Sequence, residues 1–200
     1  MNTIVAICGP SGAGKTALLE GLAEWMKRRE VGFHHIPSHT TRPPRLEEGH
    51  NGTYRFLSKD VFLDEFSSGG FAECDFFKGY DYGTLKSSLD ESDIGSKAIT
   101  IRGLEQLLDV VPRRRVLAVR IVLDRHKLVQ RLRERNESEK FITDRLAGVP
   151  ESGDEWGCEF TRRWDLSIHN HTGMLEAYVA GLGEIVIGHD SWLNGRGKVC

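Results

Sequence analysis

The amino-acid sequence predicts an α/β fold, a mostly parallel sheet with helices on both faces, interrupted by an inserted mixed α+β region. Three observations predict it. Apolar, β-branched runs alternate with amphipathic helical segments along most of the chain. The first of these runs leads directly into Gly9-Pro10-Ser11-Gly12-Ala13-Gly14-Lys15-Thr16, a complete G-x-x-x-x-G-K-[ST] phosphate-binding loop. Between about 33 and 85 the rhythm changes to short polar and aromatic segments that hold three of the six prolines.

Taken in order, Thr3 to Cys8 is a short apolar run suited to a buried parallel strand. After the loop, Leu18, Leu19, Leu22, Trp25 and Met26 recur at helical spacing. Within the insertion, strands are expected at 53–57 and 70–75, with a helix from Ser58 to about Phe66. The α/β rhythm then resumes, with a strand at 97–101, a helix at 104–110 and a strongly β-branched strand at 116–123. Leu128, Val129 and Leu132 mark one face of a helix over 126–135. A last strand at 166–168 and a helix at 174–187 follow. From about Gly188 no pattern stands out, and a frayed tail over 188–200 is expected.

Two hundred residues suit one domain with its own core. The formal charge of −2 gives no broad attraction to nucleic acid or to an anionic membrane. Basic residues gather at Arg113–Arg115 and between Arg120 and Arg135, and a solvated surface is the default reading of such runs. No apolar stretch has the length of a membrane span, and no signal peptide is expected. Cys8, Cys74, Cys158 and Cys200 are scattered without a C-x-x-C pair, which fits free thiols in a reducing compartment. His34-His35 and His169-Asn170-His171 lack partners at metal-ligand spacing.

The loop sets the chemistry. Small residues let backbone N–H groups converge on an anion, and the helix behind them points its positive end the same way. Lys15 adds a mobile charge at the β- and γ-phosphates, and the Thr16 hydroxyl can ligate Mg²⁺. Ligands of such sheets bind at the carboxyl ends of the strands, where this loop sits. The loop alone leaves ATPase, GTPase and kinase open. A second anion site is suggested by Ser38-His39-Thr40-Thr41-Arg42-Pro43-Pro44-Arg45, which places hydroxyls and two guanidinium forks in a proline-stiffened turn.

From this turn onward the chain resembles the guanylate kinases, members of the P-loop nucleoside monophosphate kinases. Ser38-x-Thr40-Thr41-Arg42-x-Pro44-Arg45-x-x-Glu48, then Gly52-x-Tyr54-x-Phe56, is similar to the signature of that family. Phe71-Ala72-Glu73 and Gly79-Tyr80-Asp81-Tyr82-Gly83-Thr84 resemble its F-x-E and G-x-x-Y-G-[ST] elements. Arg131-Leu132-x-x-Arg135-Asn136-Glu137-Ser138-Glu139 through Arg145-Leu146 resembles its lid, one residue shorter. Trp164-Asp165-x-x-Ile168-x-Asn170 resembles its late D-x-x-I-x-N segment.

The resemblance implies a P-loop NTPase-type fold over 1–187. The core would comprise 1–32, 86–130 and 150–187, the acceptor region 33–85 and the lid 131–149. It implies a Mg²⁺-dependent cytoplasmic phosphotransferase, a monomer or homodimer, that moves the γ-phosphoryl of ATP to GMP to give ADP and GDP. The loop Gly9, Pro10, Ser11, Gly12, Ala13, Gly14, Lys15 and Thr16, with Asn170, would bind ATP, and Thr16 would meet the metal. Ser38, Arg42, Arg45 and Tyr54 would hold the GMP phosphate. Glu73 and Thr84 would face the base, and Tyr82 would also touch GMP. Lys15, Arg42, Arg131, Arg135 and Arg145 would act catalytically, closing on the phosphoryl group with the lid. Glu73 makes chemical sense, because a carboxylate only accepts and guanine offers adjacent N1–H and N2–H₂ donors.

The sequence also departs from the family. Its I-D-x-Q-G strand end is here Ile99-Thr100-Ile101-Arg102-Gly103, so Thr100 takes the acid's place at the GMP site and Arg102 that of the glutamine. The expected consequence is a weaker KM for GMP or a shifted base preference. Two other readings fit parts of the chain. One is a kinase of another small phosphorylated acceptor. The other is a non-catalytic phosphopeptide-binding module, although such modules typically have degraded phosphate loops and lids. The loop makes a first prediction. Lys15→Ala should slow ADP release on the order of 10²-fold or more, measured in a coupled assay, and an undiminished rate would show that the loop is not the phosphate site.

Overall fold

The computed structural model describes residues 2–44, 52–77, 79–89, 93–160 and 164–196. The main sheet contains β1 (Ile4–Cys8), β2 (Phe33–His35), β7 (Ile94–Ala98), β8 (Val116–Val122) and β9 (Leu166–His169). Their order is β2-β7-β1-β8-β9, and every pairing is parallel. All five residues of β1 are buried, because both faces of the sheet are covered. Val5 and Ile7 face a core shared with α1 (Lys15–Lys27) and α6 (Leu175–Arg196), which send in Leu22, Met26, Leu182 and Val186. Ile4, Ala6 and Cys8 face a second core with Leu104, Leu107 and Leu108 of α3 (Ile101–Val110). The alternation follows from the two-residue period of a strand. No helix among the described residues is long and apolar enough to cross a membrane.

Three expectations need correction. The strand expected at 97–101 lies at Ile94–Ala98, and helix α3 already begins at Ile101. Ile99 and Ile101 look strand-like, but Thr100 caps the helix, its Oγ1 accepting from Gly103 N at 3.0 Å. Gly95 and Ser96 look unlike a buried strand, yet both are buried, and a side chain at 95 would force Ile36 to move. A Cβ at that position would lie 2.7 Å from Ile36 Cδ1. The second correction concerns β2, whose parallel pairing with β7 places Phe33–His35 in the main sheet rather than in the insertion. The third is the C-terminal end. Residues 188–196 continue α6 instead of fraying. Their anchors are polar, so no hydrophobic pattern marked them. Asp190 Oδ1 accepts from Thr3 N at 3.0 Å, and Thr3 Oγ1 lies 3.1 Å from His189 Nδ1.

The insertion builds a second sheet from β3 (Ser38–Thr40), β4 (Tyr54–Phe56), β5 (Phe71–Phe77) and β6 (Tyr80–Leu85), in the order β4-β3-β6-β5. Helix α2 (Lys59–Ser67) starts where Ser58 accepts from Val61 N at 3.3 Å. The edge strand β5 is tied to the core by one amide of α3. Gln106 Oε1 accepts from Cys74 N at 2.8 Å, and its Nε2 donates to Cys74 O at 3.0 Å. A side chain thus satisfies the backbone pair that a further strand would have used. After β8 come α4 (Arg125–Glu134) and α5 (Glu139–Leu146), joined through Asn136 at φ 56°. Asn is among the few side chains that adopt this left-handed conformation readily.

The end of α6 can be tested. Thr3 is fully buried, so Asp190→Ala would strand its backbone N–H. Loss of about 1–3 kcal/mol is expected in urea denaturation. An unchanged midpoint would show that this contact does not hold the first strand.

Candidate active site

The loop 9–16 emerges at the carboxyl end of β1 and turns into α1. Gly12 at φ 90° and Gly14 at φ 101° occupy conformations that side chains avoid. At Gly14 there is also no room, because a Cβ would lie 2.6 Å from Asn170 Nδ2. That amide donates to Ala13 O at 2.6 Å, and Arg131 Nη1 reaches the same carbonyl at 3.4 Å. Two side chains distant in sequence therefore meet on the phosphate loop. Asn170 comes from the end of β9 and Arg131 from α4.

Lys15 Nζ donates to Gly9 O at 2.7 Å and to Pro10 O at 3.0 Å. Burial brings its pKa down to about 8, with the Cys8 thiol opposing the shift and the Arg145 charge adding to it. Arg145 thus acts electrostatically on Lys15 from α5, its guanidinium standing 4.3 Å over the Phe141 ring. Burial holds the neighbouring Cys8 thiol well above its ordinary range, so it is an inert core residue. Thr16 is exposed in the first turn of α1.

Two cavities flank the loop. One, of about 480 Å³, is lined by Gly12, Gly14, Arg131, Arg135, Asn170 and their neighbours. Arg131 is partly buried, and both burial and the adjacent Arg135 charge lower its pKa. The two arginines lie one helical turn apart on α4 and its cap. Arg133, between them, points elsewhere and pairs with Glu139 at 2.9 Å.

The other cavity, of about 320 Å³, is bounded by Ser11 and Lys15 of the loop. Ser38, Tyr54, Glu73, Tyr82 and Thr100, all singled out from sequence, lie in its wall. Glu73 and Thr84 are direct cross-strand partners on β5 and β6, and the Thr84 hydroxyl donates to Glu73 Oε1. Arg42 is only 8 % exposed and lies 5.3 Å from the Tyr54 ring centroid and 5.7 Å from that of Phe56. Thr40 and Thr41 pin this turn to β6. Thr40 Oγ1 donates to Asp81 O at 2.8 Å, and Thr41 Oγ1 to Asp81 Oδ2 at 3.1 Å. Arg45 lies outside the described residues.

Two residues of this cavity escaped the sequence reading. Asp75 also lies in the wall and accepts from Thr100 Oγ1 at 2.9 Å. It brings a carboxylate to the corner that Thr100 occupies. The i, i+2 spacing of Glu73 and Asp75 on one strand was the available signal. Lys97 of β7 is buried against Glu73 and Ser38. A lone lysine in a strand carries no sequence signal of this kind.

Comparison with known proteins agrees with this geometry. The model of the guanylate kinase family matches residues 1–172. The chain belongs to the guanylate kinase family. The guanylate kinase of Nitratidesulfovibrio vulgaris is 34% identical over 172 residues, covering 84% of this chain and 78% of that protein. The human guanylate kinase is 32% identical over 150 residues, covering 72% of this chain and 74% of its own. Among solved structures, the guanylate kinase of Anaplasma phagocytophilum superposes with a TM-score of 0.63 at 19% identity, covering 94% of this chain and 86% of that one. The chain is therefore a guanylate-kinase-like nucleotide kinase with a P-loop NTPase fold.

The Lys15 environment predicts a pH effect. A protonated Lys15 is needed to hold nucleotide phosphates, and its pKa in the free protein is lowered to about 8. The value of kcat/KM for ATP should fall as pH rises through that region, because this ratio reports the free enzyme. A profile that stays flat to pH 9 would contradict the assignment.

Proposed function

We propose that this kinase transfers the γ-phosphoryl group of ATP to GMP, in line across the phosphate loop. The observation that carries the reading is that the loop is the shared wall of both cavities: Gly12 and Gly14 face one, Ser11 and Lys15 the other. A donor triphosphate on the loop would present its terminal phosphate to an acceptor phosphate in the second cavity. An acceptor phosphate oxygen attacks the γ-phosphorus while its bond to the β-bridging oxygen breaks, and ADP leaves. The protein's part is alignment, charge neutralisation and exclusion of water.

The donor side would use the loop backbone, Lys15 and Asn170. Arg131, Arg135 and Arg145 would neutralise the transferring group as α4 and α5 close. On the acceptor side, Ser38, Arg42, Arg45 and Tyr54 would take the phosphate. Glu73 and Thr84 would read the base, with Tyr82 beside them. An ionised carboxylate has about four lone-pair positions, so Glu73 can hold Thr84 and still accept from guanine N1–H and N2–H₂. Adenine offers no such donor pair and would strand the buried carboxylate.

The residues present also fit Mg²⁺. No cluster of three His, Cys, Asp or Glu side chains able to hold a metal occurs among the described residues. The exposed Thr16 hydroxyl is a hard oxygen donor beside the loop, and Mg²⁺ usually keeps several waters and binds through nucleotide phosphates. When bound, the ion neutralises phosphate charge. Cys8, Cys74 and Cys158 are free thiols, which supports a cytoplasmic location.

A second acceptor stays in view because Thr100 is committed to capping α3 and to Asp75. The test is ADP release with Mg-ATP across GMP, dGMP, AMP, CMP, UMP and IMP. GMP should exceed AMP on the order of 10⁴-fold in kcat/KM. Glu73→Ala should cost GMP about 10- to 100-fold while leaving AMP little changed. Turnover of another acceptor with GMP inert, or tight GMP binding without ADP release, would overturn the proposal.

A further inference from the structure

Among the described residues, Lys97 is the buried cation of the acceptor cavity wall that the proposed reaction leaves without a task. Its side chain is 3% exposed, on a strand hydrogen-bonded on both sides. Burying an ammonium costs several kcal/mol before pairing, and an apolar residue of similar size often serves a core as well or better. Stability alone therefore gives little reason for a lysine here.

Its partners give a better one. Lys97 Nζ donates to Ser38 Oγ at 2.6 Å and stands 3.8 Å from Glu73 Oε1. Glu73, whose side chain is 7% exposed, also accepts from Thr84. Thr84, Glu73, Lys97 and Ser38 thus form one polar line across the cavity floor, running from β6 through β5 and β7 to β3. Among the described residues the ion pair to Glu73 comes from Lys97, whose charged form burial disfavours and the Glu73 carboxylate supports. We propose that Lys97 is a positioning residue for acceptor specificity: it holds the Glu73 carboxylate aimed at the base, and links it to Ser38 at the phosphate end. The inference rests on the ATP–GMP reading above.

Other charged or titratable groups surround this line. They are His39 on β3, Arg55 on β4, Cys74, Asp75 and Asp81 on β5 and β6, Tyr54 and Tyr82, and Lys15 of the loop. Burial and the Lys97 charge lower the His39 pKa, so its titration lies on the acid side. A test must separate these groups from Glu73.

The experiment compares wild type, Lys97→Met, Glu73→Gln and the double variant, with GMP and IMP as acceptors. Lys97→Met should raise KM for GMP about 10- to 100-fold, while KM for ATP and kcat stay within about threefold. The double variant, which keeps His39 and every other neighbour but has no carboxylate at 73, should have the KM for GMP of Glu73→Gln within about threefold. A KM for GMP unchanged in Lys97→Met, an equal rise in KM for ATP, or a KM for GMP in the double variant well above that of Glu73→Gln would overturn the proposal. Removing one partner of a buried pair can prevent folding. In that event the charge-free double variant decides. Its GMP-to-IMP preference should equal that of Glu73→Gln, because Lys97 acts on the base through Glu73, and a further threefold change would contradict this. If wild type prefers another nucleoside monophosphate, the GMP reading fails by itself, and the same comparison is made with the preferred acceptor.

Discussion

In the phosphoryl transfer proposed above, electrostatic repulsion between two phosphorylated reactants is the constraint that the architecture would answer. Like charges about 4 Å apart oppose each other by roughly 4 kcal/mol per pair near a protein surface. The fold meets this by gathering cations from separate stretches of chain around the carboxyl end of β1. Lys15 belongs to the loop, Arg131 and Arg135 to α4 and its cap, and Arg145 to α5. Arg42 belongs to the inserted region, buried beside Tyr54 and Phe56, and on the proposed reading adds a cation on the acceptor side. The parallel sheet makes the convergence geometrically simple, because every strand of it delivers its following loop to the same edge.

Gathered cations repel one another, and the molecule carries that cost locally. The lowered pKa of Lys15 owes part of its shift to Arg145, and that of Arg131 part to Arg135. Carbonyls of the loop offset some of it. Gly9 and Pro10 accept from Lys15, while Ala13 accepts from Arg131 and Asn170. A phosphate is a stronger partner than any of these carbonyls, so anion binding relieves a repulsion already built into the site.

Much of this was legible in the sequence, and the exceptions have physical causes. The loop, β1 and α1 were readable because glycine conformations and apolar periodicity are local properties. Glu73, Thr84 and Tyr82 were readable only through motifs shared with a family, since a Glu on a strand usually faces solvent. The strand β7 was misplaced because its residues answer neighbours rather than a pattern. Gly95 makes room for Ile36, and Lys97 pairs across the sheet boundary. The last turns of α6 were missed because Asp190 and His189 hold them through Thr3, a contact nearly the full length of the chain away. The Thr40-Thr41 pair was readable as part of a signature, but its hydroxyls hold Asp81 and shape the turn.

The central claim is that two nucleotides sit on opposite sides of one loop. A bisubstrate compound, adenosine joined to guanosine through a chain of phosphates between their 5′ oxygens, tests it most directly. Such a compound should be competitive against ATP and against GMP alike, and a chain long enough to span donor and acceptor phosphates should bind far more tightly than either nucleotide, since its second half binds at high effective concentration. Competition with only one of the two substrates, or affinity no better than that of a single nucleotide, would contradict the shared-wall arrangement.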